Sequence, residues 1–179
     1  MIQDRLRTRV KICGITSDRD ARAAAAAGAD ALGFIFHRPS PRYVEPARAA
    51  AIIGELPAFV TAVGVVVDLA AGELAAIARS SRIDCFQFHG SEDPQACDNA
   101  GLPYLKGLRV RDDTDIAAEA ARYPKARGLL LDAFVEDLPG GTGRGFEWSR
   151  IPPSLAAPLI LAGGLDAGNV AEAIRRIRP

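Results

Sequence analysis

Apolar runs rich in Val, Ile, Leu and Phe alternate with alanine-rich stretches of helical spacing along the chain. The apolar runs predict strands near residues 9–14, 31–36, 61–67, 84–88, 104–109, 128–132 and 158–162. The stretches between them predict helices near 17–27, 46–55, 71–80, 93–100, 113–122 and 167–177, with a short turn near 147–151. The first helix begins at Ser17-Asp18, and the alanine run at 23–27 belongs inside it, alanine being the best helix former. Runs this apolar on both faces suit a parallel sheet covered by helices. Gly or Pro punctuates most joints, at Gly28, Gly90, Gly101, Pro124, Gly128, Pro158 and Gly163-Gly164.

Repeated β/α order leaves two architectures, an open doubly wound sheet or a (β/α)8 barrel. A dinucleotide-binding sheet wants Gly-x-Gly-x-x-Gly after its first strand, and Cys13-Gly14-Ile15-Thr16 is not that. Polar residues at strand ends along the whole chain favour the barrel, where chemistry sits at the C-terminal ends of the strands. At 179 residues the chain is expected to form one α/β domain over 1–179. The Pro- and Gly-rich segment 138–145 is too short for an interdomain linker and reads as a functional loop.

Charge and cysteine usage narrow the setting. Basic and acidic residues number 22 each, a balance that gives no sign of a nucleic-acid partner. Three cysteines, Cys13, Cys85 and Cys97, form no regular disulfide framework, so a reducing cytoplasm is expected. No apolar run follows the polar residues 1–9, so no signal peptide is read, and no run approaches the ~18 apolar residues that span a membrane.

Several strand ends carry candidate chemistry. Cys13 ends the first strand beside a glycine turn, and two readings stay open: a proton acceptor, or one of the buried, inert thiols that free cysteines often are. Asp132 follows Leu129-Leu130-Leu131 and must leave the core or find a partner. It is either a loop acid or half of an acid–base pair with Cys13. Arg38 and Arg42 lie in the proline-stiffened loop after the second strand, either solvated or forking onto a carboxylate or phosphate. Gln87-Phe88-His89-Gly90 ends the fourth strand; His89 has no partner at metal-ligand spacing, so no metal is expected. The glycine-rich 140–145 loop is suited to cradle an anion or close over a substrate. Bare Gly163 and Gly164, ending the seventh strand, let backbone amides approach a phosphate.

Taken in order, Lys11-Ile12-Cys13-Gly14-Ile15-Thr16, Gly33-Phe34-Ile35-Phe36 with Ser40-Pro41-Arg42-Tyr43, Gln87-Phe88-His89-Gly90, Leu131-Asp132, Gly140-Gly141-Thr142-Gly143 with Phe146 and Trp148, and Ala162-Gly163-Gly164-Leu165 with Asn169-Val170 resemble the phosphoribosylanthranilate isomerase family of tryptophan biosynthesis. The resemblance implies a (β/α)8 barrel and an Amadori rearrangement of N-(5-phosphoribosyl)anthranilate, without metal or organic cofactor. It implies Asp132 as general acid, Cys13 as general base and Arg42 as the holder of the anthranilate carboxylate. Gly163 and Gly164 would contribute to the phosphate site, and Gln87, His89 and Gly141 of the 140–145 loop would line the pocket. The partner would be this small phosphorylated substrate, with no nucleic acid or membrane, in a monomer or homodimer. The family continues beyond the point where this sequence stops, Arg178-Pro179, with an eighth strand and helix. The expectation is therefore a C-terminally incomplete barrel with the eighth β/α unit absent, two open edges and part of its phosphate grip missing. Two other readings are a related histidine-pathway aminoaldose isomerase, whose members resemble this chain but carry aspartate at the Cys13 position, and a non-catalytic barrel or fragment that binds phosphorylated ligands.

Overall fold

Parallel strands run side by side in strict chain order, from β1 (Lys11–Cys13) through β2 (Ala31–Ile35), β3 (Thr61–Val66), β4 (Cys85–Phe88), β5 (Tyr104–Val110) and β6 (Leu129–Ala133) to β7 (Leu159–Ala162). The computed structural model describes residues 7–111, 113–133, 148–152, 155 and 157–179. Between the strands lie α1 (Asp18–Ala26), α2 (Pro46–Gly54), α3 (Ala71–Ser81), α4 (Pro94–Asp98) and α5 (Ile116–Ala121), and α6 (Val170–Ile177) follows β7. A 3-10 turn occupies Trp148–Arg150. Sequential order with right-handed crossovers returns every helix to the same face, which makes the sheet a half-barrel with helices outside.

The elements fall where the periodicity places them, and the differences at their ends have local causes. The predicted strand 9–14 contracts to β1 because Gly14 turns left-handed at φ +91° and ends the extended run. The helix predicted from 113 begins at Ile116, where Asp115 accepts from the Ala118 N–H and caps it. The helix predicted from 167 begins at Val170, because the Asp166 carboxylate takes the N–H groups of Gly168 and Asn169 into a turn of their own.

Alternate strand residues face opposite ways. Leu32, Phe34, Phe86, Phe88, Leu129 and Leu131 are fully buried against the helices. Each contributes roughly 1.5–3 kcal/mol by leaving water. Phe88 is the centre of an aromatic row, its ring 5.6 Å from those of Phe86 and Tyr104. The other face carries Cys13, Gly33, Val65, Gln87, Leu130 and Asp132 by the same alternation.

One charge interrupts the helix-facing core. Lys106, between Tyr104 and Leu108 on β5, is 2% exposed, and its Nζ donates to Glu92 and to the Gly90 carbonyl, at 2.7 Å each. It lies 5.2 Å from the centroid of the Tyr123 ring, whose hydroxyl donates to the Glu92 carbonyl. Glu92 also accepts from the backbone N–H groups of Asp68 and Gly90. Burial pushes the Glu92 carboxyl up, but the Lys106 ammonium and these backbone donors together hold it below the ordinary glutamate range. The brace ties the turn after β3, the turn after β4 and the end of α5 to one buried point.

Among the described residues β1 pairs with β2 alone and β7 with β6 alone. Ile12 on β1 and Val170 and Ile174 on α6 are between 37% and 42% exposed, an apolar surface beside those two edges.

Candidate active site

Because the sheet is parallel, every strand delivers its C-terminal end to the same side. Cys13 ends β1, Arg42 follows β2, Gln87 and His89 stand at the end of β4, Asp132 stands near the end of β6, and Gly163-Gly164 follow β7.

Cys13 is paired in register with Gly33 of β2, and a Cβ on Gly33 would lie 2.6 Å from Cys13 Sγ. The thiol therefore occupies the space above a residue that must be glycine. The Gly33 carbonyl accepts from both Gly14 and Ile15 N–H at 2.9 Å, which fixes the chain just past the cysteine. Arg42 arches over Gly14, where an added Cβ would meet its Cδ at 2.6 Å, and Arg42 Nη1 donates to the Cys13 carbonyl at 3.2 Å. The loop's two arginines thus divide. Arg38 lies over the Tyr43 ring and 3.5 Å from Glu45, whereas Arg42 is exposed and anchored beside the thiol.

Asp132 does find a partner. Its Oδ2 lies 3.0 Å from His89 Nε2, and His89 Nδ1 lies 3.1 Å from Gln87 Nε2. His89 rests on Gly107 of β5, where a Cβ would meet Nδ1 at 2.5 Å. Gln87 is buried, and its Oε1 is a buried oxygen with no hydrogen-bond partner among the described residues. Arg109 is the register partner of Asp132 on β5 and is exposed.

At the end of β7, Gly163 and Gly164 take φ values of +78° and +64°, a left-handed pair that side chains disfavour. Asn169 Nδ2 donates to the Gly164 carbonyl at 2.7 Å and holds this turn against the start of α6. Gly141 and the 140–145 loop lie outside the described residues.

The structure thus brings Gln87, His89 and Asp132 into one hydrogen-bonded line and puts Arg42 on Cys13. No hydrogen bond joins Cys13 to Asp132 among the described residues. Burial pushes the thiols of Cys85 and Cys97 up to about 11, which leaves both inert at neutral pH. Among the described residues no three His, Cys, Asp or Glu side chains are grouped to hold a metal ion.

Sequence reasoning assigned no role to Lys106, Glu92 or Arg109. The position of Lys106 was the available signal: it sits at the helix-facing phase of β5, where a charge requires a buried partner.

Comparison with known proteins bears directly on this arrangement. The family model described as N-(5'phosphoribosyl)anthranilate (PRA) isomerase matches residues 10–179. An N-(5'-phosphoribosyl)anthranilate isomerase of Chromohalobacter salexigens is 55% identical over 173 residues, covering 97% of this chain and 81% of the relative. The crystal structure of phosphoribosyl anthranilate isomerase from Thermotoga maritima superposes with a TM-score of 0.88 at 34% identity, covering 97% of this chain and 85% of that one. A structure of such an isomerase in complex with reduced 1-(o-carboxyphenylamino)-1-deoxyribulose 5-phosphate has a TM-score of 0.80 at 32% identity, covering 97% and 84%. With sequence match, fold and strand-end residues in agreement, the chain belongs to the N-(5'-phosphoribosyl)anthranilate isomerase family.

Proposed function

We propose that the chain converts N-(5'-phosphoribosyl)anthranilate to 1-(2-carboxyphenylamino)-1-deoxyribulose 5-phosphate in tryptophan biosynthesis by general acid–base catalysis. The observation that carries this is the pair of unlike groups at one end of the sheet. Cys13 is held over Gly33 under Arg42, and Asp132 is held by His89.

Asp132, protonated, gives its proton to the ribose ring oxygen as the bond from that oxygen to C1 breaks. The anthranilate nitrogen supplies the electron pair and forms a Schiff base with C1. The Cys13 thiolate then takes the C2 proton, and the C–H electrons form the C1–C2 double bond and neutralise the nitrogen. The resulting enol-amine takes a proton at C1 as its C2 hydroxyl gives one up, and becomes the ketone. One acid and one base on opposite parts of the substrate suffice, each able to contribute ~10²–10⁴-fold. These proton transfers are complete with side chains of the chain.

Arg42 presents an exposed guanidinium beside Cys13 and receives the anthranilate carboxylate in its fork. Gly163 and Gly164 offer backbone N–H groups to the phosphate. Gln87, His89 and Gly141 line the pocket. The chain works in the cytoplasm as a monomer or homodimer on this small phosphorylated substrate, with neither nucleic acid nor membrane as partner. No helix among the described residues is long and apolar enough to cross a membrane.

The 179 residues form a single barrel domain that an eighth β/α unit completes. The single-neighbour edges of β1 and β7 and the exposed Ile12, Val170 and Ile174 support this reading, as does the 81% coverage of the Chromohalobacter relative. The test assays loss of substrate fluorescence by the 179-residue chain and by the same chain fused to the part of that relative it does not match. Turnover in the fused form, abolished by Cys13→Ser, supports both statements. A folded, fused form with no turnover refutes the assigned activity.

A further inference from the structure

We propose that Gln87 is a positioning residue whose side-chain amide, by turning over, serves either tautomer of His89 and so lets Asp132 take up the proton it donates. The inference rests on the assignment of Asp132 as general acid. It starts from the line of three side chains, Gln87 Nε2 to His89 Nδ1 at 3.1 Å and His89 Nε2 to Asp132 Oδ2 at 3.0 Å, and from the partnerless Gln87 Oε1.

The protons along this line can be counted. With the amide N–H donating to Nδ1, that nitrogen is bare, so the ring hydrogen sits on Nε2 and donates to Asp132. Asp132 Oδ2 is then an acceptor with no proton of its own to give. Adding one proton to the line between Gln87 and Asp132 Oδ2 allows two arrangements. Either Asp132 is protonated and donates to Nε2, which moves the ring hydrogen to Nδ1, or the ring becomes an imidazolium with hydrogens on both nitrogens. In both, Nδ1 carries a hydrogen and faces the amide. An N–H cannot accept it, but Oε1 can once the amide turns over about its last bond. An acid loaded on the oxygen that faces His89 therefore requires Gln87 in the opposite orientation from the unloaded one.

The surroundings of the amide leave this choice open. Gln87 is 3% exposed, and its register neighbours are Val65 on β3 and Leu105 on β5, both apolar. One end of the amide lacks a partner in either orientation, so its environment favours neither, and the proton on His89 decides. An amide held at both ends would be locked and would force one tautomer. His89 itself is fixed between Gln87 and Asp132, its Nδ1 close to Gly107, which leaves the amide as the part that turns. Among the described residues, the charged groups set beside the line by register or contact are Asp132 on β6, its register partner Arg109 on β5, and Asp68, whose carboxylate lies against Gly90. Lys106 and Glu92 pair with each other on the far face.

The experiment is ¹⁵N NMR of the histidine rings in the free protein, which needs no turnover. The sequence holds only two histidines, and a His37→Gln background leaves His89 alone. In the wild-type line at high pH the ring hydrogen is expected on Nε2, moving onto Nδ1 as the line takes up a proton. Gln87→Glu keeps an acceptor and loses the donor, so Nδ1 is expected to stay protonated at pH values where the parent has it bare. Gln87→Met removes both functions, and a hydrogen on Nδ1, left without an acceptor, is expected to appear only at lower pH than in the parent. In the same variant kcat is expected to fall about tenfold or more with KM little changed, a share of the ~10²–10⁴ that an acid supplies. His89 spectra that are the same in parent and both variants overturn the proposal. An altered spectrum with unchanged kcat overturns its link to the acid. If the protein turned over no phosphoribosylanthranilate, the spectra would still decide the tautomer claim, so the two failures are separable.

Discussion

Gly33→Ala tests the placement of the proposed base without touching it. The new methyl would lie 2.6 Å from Cys13 Sγ, 3.1 Å from Cys13 Cα and 3.2 Å from Cys13 Cβ. Comfortable non-bonded contacts fall near ~3.5–4.0 Å, so the thiol must retreat by about 1 Å. A cysteine side chain has a single rotatable bond to carry it away, and the backbone Cα is itself too close to leave the strand unmoved. Overpacking of this kind costs about 1–3 kcal/mol of stability. The larger effect is on chemistry, because a reacting group misplaced by about 1 Å loses on the order of 10²-fold in rate. The assay is kcat from loss of substrate fluorescence, beside a urea midpoint to show that the variant is folded. Turnover within a few-fold of the parent, in a folded Gly33→Ala protein, would refute the claim that the thiol above Gly33 is the base.

The buried brace gives two further predictions. Lys106→Met strands the Glu92 carboxylate, 4% exposed, away from water, and the urea midpoint should fall by an amount equivalent to about 3–5 kcal/mol. Glu92 is held below its unfolded value, so its stabilisation is present above about pH 4.3 and is lost as pH falls through the lower folded value. Glu92→Gln should accordingly be less stable at neutral pH and show a flatter loss of stability in acid; an unchanged acid limb would remove Glu92 from the account. Burial keeps the Cys85 and Cys97 thiols up at about 11, so brief iodoacetamide treatment at neutral pH should place its label on Cys13. Peptide mass spectrometry should find that label rising in step with loss of turnover, and early labelling of Cys97 would contradict the packing described.

The strand-end logic was legible because a parallel β/α chain sends every strand's C-terminal end to one side, so a residue that breaks an apolar run there becomes a site candidate. That places Cys13, Gln87, His89, Asp132 and Gly163-Gly164 together from sequence alone. Which of them touch was not legible. His89 and Asp132 lie 43 residues apart, and their contact depends on the register of β4, β5 and β6, which apolar runs as uniform as Leu129-Leu130-Leu131 do not specify. Gly33 and Gly107 read as ordinary strand residues, because the space they leave for a thiol and an imidazole exists only between strands. Lys106 violated the apolar phase of β5, but its partner Glu92 lies in a turn whose path no periodicity encodes.

The central claim is that Cys13 and Asp132 are the base and acid of one isomerisation. Its most direct test is the kcat of the Cys13→Ser and Asp132→Asn proteins on phosphoribosylanthranilate, measured beside the parent in the fused, closed-barrel form with folding checked by circular dichroism. Each variant is expected to lose ~10²–10⁴-fold in kcat while keeping its fold. Near-parental turnover by either one would contradict the account.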